Sequence, residues 1–75
     1  MNVRDLKFLV NENMDLIFIV EKTTGGFIVI VETNSGRHVL VSQRGGSRIF
    51  RTLDTVYSFL QKMNANNFKV LVNNG

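Results

Sequence analysis

The sequence predicts an α+β fold: a curved antiparallel sheet of five to six strands with one amphipathic helix near residues 53–63, in the order β-β-β-β-β-α-β. Three observations carry this. Short β-branched and aromatic runs recur at a spacing of about ten residues. Clusters of Gly and Asn separate them, in a chain that has no Pro. After Arg51 the apolar period lengthens from that of a strand to that of a helix.

The first run, residues 6–10, is read as a strand, although Val3, Leu6 and Val10 also fit one face of a helix. Asn11-Glu12-Asn13 separates it from the run at 16–20, and Thr23-Thr24-Gly25-Gly26 separates that from 27–31. Asn34-Ser35-Gly36 precedes 38–42, and Gly45-Gly46 precedes 48–51. A two-residue Gly45-Gly46 turn would set Val41 opposite Phe50 and Gln43 opposite Arg48. A three-residue Asn34-Ser35-Gly36 loop would set Val31 opposite Val39 and Glu32 opposite His38. One face then carries Phe27, Val29, Val31, Val39, Val41 and Phe50, the natural seat of the helix. The other carries Ile28, Ile30, Leu40 and Ile49 among Glu32, His38, Ser42, Arg44, Ser47 and Arg51.

Leu53, Val56, Tyr57, Leu60 and Met63 then recur with helical spacing, with Phe59 flanking. The first four are expected to face the sheet. Thr52 is the expected N-cap, with Asp54 in the first turn and Lys62 in the last, both favourable to the helix dipole. The helix should stop over residues 64–67, and 68–72 read as a closing strand.

Seventy-five residues make a single small domain, 1–75, with a marginal core. The absence of Cys excludes disulfides, thiolate zinc sites and thiol catalysis, and one His with six carboxylates leaves little for a metal. The carboxylates fall at strand ends and turns, and neither Ser42 nor Ser47 has a base placed to activate it. The sequence therefore predicts no enzyme, no metal or other cofactor and no small-molecule substrate. Its longest apolar runs are five residues, too short to span a membrane. With no signal peptide recognisable, a soluble cytoplasmic protein is expected.

Two of the apolar runs, 16–20 and 27–31, are apolar on both faces, as in strands covered on two sides. An eleven-residue helix, about 16 Å long, covers one face only. A second copy of the chain is the expected cover for the other, giving a homodimer through Ile28, Ile30, Leu40 and Ile49. A closed, barrel-like monomer is the alternative.

Charge is segregated along the chain. Residues 1–36 hold three cations against five carboxylates, and residues 37–75 hold six cations against Asp54 alone. Arg37, Arg44, Arg48 and Arg51 crowd a short ribbon with Gln43, Ser42 and Ser47 as neutral hydrogen-bond donors, a mix suited to phosphates. Phe50 is the one aromatic residue close by, and it turns toward the helix, so backbone contact is expected rather than base stacking. Arg37, Gln43, Arg44, Ser47, Arg48 and Arg51 are the expected nucleic-acid-binding residues.

The stretch Arg44-Gly45-Gly46-Ser47-Arg48-Ile49-Phe50-Arg51-Thr52-Leu53-Asp54-Thr55-Val56, continuing through Phe59-Leu60 to Phe68-Lys69-Val70, resembles small plasmid partition-associated proteins. They share a basic Gly-containing turn, a Phe-Arg-Ser/Thr-Leu-Asp helix start and a closing strand. In topology alone, several antiparallel strands before a helix are similar to the dimeric single-stranded-DNA-binding coactivators typified by positive cofactor four. The strand after the helix departs from their pattern. These resemblances imply a non-enzymatic nucleic-acid-binding protein, DNA favoured, in plasmid or mobile-element maintenance or regulation. The alternative is a small dimeric protein–protein adaptor or inhibitor that binds no nucleic acid.

Overall fold

The first apolar run is a helix, not a strand. In a computed structural model that describes residues 1–65 and 68–73, α1 spans Val3–Asn11. The Asn2 side chain caps it, its Oδ1 accepting the Asp5 N–H at 2.8 Å. Leu6 and Val10, one turn apart, are buried, with Val3 and Leu9 half-buried beside them. A strand would have placed Phe8 with Leu6 and Val10; the helix leaves it 62% exposed. At the helix end Asn13 takes a left-handed φ of 56°, with its N–H on the Val10 carbonyl and the Met14 N–H on Leu9. That is the two-bond closure of a Schellman motif.

Three strands follow: β1 (Ile17–Thr23), β2 (Gly26–Thr33) and β3 (Gly36–Val39), each antiparallel to the one before it. The β2–β3 loop is one residue shorter than expected. Thr33 pairs with Gly36, so Gly36, at φ +122°, lies in the ladder rather than in the loop. The Thr33 hydroxyl accepts the Ser35 N–H at 3.1 Å and holds the turn tight. Val31 therefore faces His38, and Glu32 faces Arg37 instead of His38. A slip of one residue exchanges faces: Leu40, expected on the partner face, is fully buried in the core, while Val39 moves to the opposite face.

The Gly45-Gly46 turn is also longer than expected. Ser42 to Gly45 form a β-turn, with the Gly45 N–H on the Ser42 carbonyl at 3.0 Å and Gly45 at φ +100°. Val41 consequently pairs with Ser47, and the Arg48 N–H reaches the Leu40 carbonyl, so the expected Val41–Phe50 and Gln43–Arg48 pairs do not form. Phe50 instead exchanges two backbone hydrogen bonds with Phe27, at 2.7 and 2.8 Å. These isolated bridges replace the fifth strand expected over 48–51.

Helix α2, Leu53–Lys62, lies where the sequence places it. Thr52 and Thr55 form a reciprocal capping box, and Asp54 and Lys62 occupy the first and last turns. Val56, Leu60 and Met63 are buried and Leu53 is half-buried, but Tyr57 is 43% exposed. Phe59, on the other shoulder of the stripe, packs inward in its place, its ring 5.2 Å from that of Phe50. Asn64, at φ 61°, ends this helix as Asn13 ends the first. Asn66 and Asn67, the remainder of the expected stop, lie outside the described residues.

The closing strand, β4 (Lys69–Asn73), runs parallel to β1, so the described sheet is mixed and four-stranded, in the order β3-β2-β1-β4. β3 and β4 are its two edges and do not meet, so it does not close into a barrel. The α-β-β-β-α-β order also differs from the strands-then-helix order of the positive cofactor four family. One core joins Leu6 and Val10 of α1 and Val56 and Leu60 of α2 to Phe18, Val20, Val29 and Val31 of the sheet. Both helices therefore cover the same face. No helix among the described residues is long and apolar enough to cross a membrane.

Candidate nucleic-acid interface

The N-terminus is tied to the end of β3. The Met1 ammonium donates to the Val39 carbonyl at 3.0 Å, and the Val41 N–H donates to the Met1 carbonyl at 2.8 Å. This clamp sets the start of α1 against the turn at residues 42–45 and the segment that returns from it. Between them lies a cleft of about 530 Å³, lined by Asn2, Val3, Arg4, Val41, Ser42, Gln43 and Arg48. Two guanidinium groups, two amides and a hydroxyl thus share one concavity, and none of its described lining residues is acidic. Such a set suits phosphate or another polyanion.

Arg48 is the most constrained of these groups. Its guanidinium carbon sits 5.3 Å from the Phe50 ring centroid and 5.1 Å from that of Phe59. Two aromatic faces hold the planar fork in place, so an anion reaching it would meet a preset donor array. Gln43 and Arg44 are exposed at the corners of the β-turn, and Ser47 is exposed where the ribbon pairs with Val41.

Of the residues singled out in the sequence, the cleft gathers Gln43 and Arg48, and Arg44 and Ser47 stand on the turn and ribbon that form one side of it. Arg37 is elsewhere: its Nε donates to Glu32 Oε1 at 3.0 Å, and the two side chains share the sheet face opposite α1 and α2. Arg51 is exposed just before the Thr52 cap and does not line the cleft. Ile28 and Ile30 lie on the uncovered face, whereas Ile49 is exposed on the returning segment and Leu40 is in the core. Arg4 and Asn2 escape a reading that takes the first run as a strand; the Asn2 cap was the available signal.

A second cleft, about 500 Å³, carries Asp15 and Glu32 with Lys69, a mixture of signs that does not favour a polyanion. Among the described residues no group of three His, Asp or Glu is placed to hold a metal ion. The ParC-like family matches residues 6–74, nearly the whole chain. The chain belongs to that family. No curated protein and no solved structure matches it at a significant level. The match takes in α2 and the arginine-bearing turn, and it begins just after Asn2 and Arg4.

Proposed function

We propose that this ParC-like chain is a non-enzymatic nucleic-acid-binding protein that grips the phosphate backbone, DNA in preference, with the cleft between α1 and the 42–46 turn. The observation that carries the reading is the convergence of Arg4, Gln43 and Arg48, from distant parts of the sequence, on one cleft without an acidic lining residue. Arg4 adds to it: a cation in the first turn opposes the helix dipole, so its position does not serve the helix. Family membership and the partition-protein resemblance of residues 44–70 support a role in plasmid or mobile-element maintenance or regulation.

The test is an anisotropy titration of labelled duplex and single-stranded DNA across a salt series. With Arg4, Arg44 and Arg48 on phosphates, the slope of log Kobs against log salt should be about −2 to −3 for each cleft on duplex. Arg4→Ala and Arg44→Ala should each weaken binding for all sequences alike and reduce that slope by about one unit. A folded Arg4→Ala/Arg44→Ala protein that binds as tightly as the parent would sink the proposal. Absence of binding at low salt would favour the adaptor reading.

A further inference from the structure

From the sheet face opposite the helices, we infer that a second copy of this chain binds there, two-fold related, with the central cross-strand row of one sheet lying on the same row of the other. The pairing register arranges this face in rows. The central row runs Val39, Ile30, Ile19, Leu71 across β3, β2, β1 and β4, apolar in every strand. Ile19 is only 8% exposed, yet neither it nor the half-buried Ile30 and Val39 packs into the core under the helices, and Leu71 is 43% exposed. The face is therefore a second apolar surface, separate from the core and covered by no described element.

Charge selects the occupant and its orientation. The row on one side runs Arg37, Glu32, Ile17, Lys69; the row on the other holds Ile28, Glu21 and Asn73. A two-fold axis along the central row lays each outer row over the opposite outer row of the partner. Glu21 then lies between Glu32 and Lys69 of the other copy; Arg37 already engages Glu32, so the net attraction is to Lys69, and the symmetry repeats the pair. An axis along the strands would stack Arg37 on Lys69, like on like. The surface is thus self-complementary in one orientation, the condition for an isologous dimer.

Size is consistent with this. Four strands about 4.8 Å apart and three rows about 6.7 Å apart make a patch of about 19 by 20 Å, or near 400 Å² in projection. Side-chain relief raises the accessible area above that, toward the lower end of the roughly 600–1,000 Å² per partner of stable complexes. Two sheets packed face to face through β-branched side chains give a sandwich core about 10 Å thick.

Sedimentation equilibrium of the full chain, without nucleic acid, tests this independently of the DNA reading. The parent should have the mass of two chains at about 100 µM. Leu71→Glu, at a position exposed enough to leave the fold intact by circular dichroism, should weaken the dimer by tenfold or more, because two carboxylates meet near the axis. Lys69→Glu should also weaken it, and Glu21→Lys/Lys69→Glu should restore it. A parent that stays a single chain, an assembly larger than two, or a folded Leu71→Glu protein that dimerises as the parent does would each overturn the inference.

Discussion

Gly26 is the most closely approached of the described glycines. It has φ +151°, and a Cβ added there would land on the carbonyl oxygen of Phe50. That oxygen accepts the Phe27 N–H at 2.7 Å, so moving it away breaks the bridge that ties the segment before α2 to the sheet. Gly26→Ala should therefore combine backbone strain of roughly 1–3 kcal/mol with loss of that bridge. Gly25, at φ +90° in open space, should cost about 1–2 kcal/mol of strain alone when changed to Ala. Denaturant melts of the two variants should rank Gly26→Ala as clearly the worse; equal losses would contradict this placement. Arg48 also has two duties. Its stacking on Phe50 and Phe59 should contribute about 0.5–2 kcal/mol, so Arg48→Ala should lower stability as well as DNA affinity, while Arg4→Ala lowers affinity alone. Arg48→Lys should restore the charge but not the planar stack, and thermal melts of both variants would show it.

At the scale of the element, each helix rests on a cap and a narrow stripe. Leu60, 4% exposed under the sheet, should cost about 2–5 kcal/mol on change to Ala, a large part of a small domain's stability. Asn2→Ala removes the α1 cap and should cost about 1 kcal/mol. It should also blunt DNA binding, since α1 forms one wall of the cleft; stability without an effect on binding would separate the two. The place and cap of α2 were legible because Thr52, Asp54, Lys62 and the apolar period agree on one element, but its inner face was not: Tyr57 is exposed and Phe59 packs inward. α1 was obscured by Phe8, whose apolar side chain makes residues 6–10 look like a strand although it points to solvent. The β3 register was misread at Gly36: a glycine after Asn-Ser signals a turn, but whether its positive φ falls in the loop or in the first pair of the ladder is decided by the pairing. That one residue moved Leu40 from the expected partner face into the core.

The whole molecule is a sheet with two unlike faces and a basic cleft beside one end of it. Charge segregation grouped the arginines of residues 37–51 into one expected site; Gln43, Arg44, Ser47 and Arg48 lie at or around the cleft, and Arg37 and Arg51 do not. Linear order could not show that Met1 is clamped to Val39 and Val41, which is what brings Arg4 across to Arg48. Nor could it show that Glu32 engages Arg37 on the other face. The two-sided apolar strands were expected to be covered on both faces; among the described elements two helices share one face and none lies on the other. The central claim is that nucleic acid meets the cleft and not the open sheet. A heteronuclear NMR titration of the labelled protein with short duplex DNA at low salt tests it most directly. The account predicts that the amides of residues 2–4 and 42–48 shift progressively with added DNA while those of Ile19, Ile30 and Leu71 do not. Unchanged spectra, or shifts confined to the open sheet face, would contradict it.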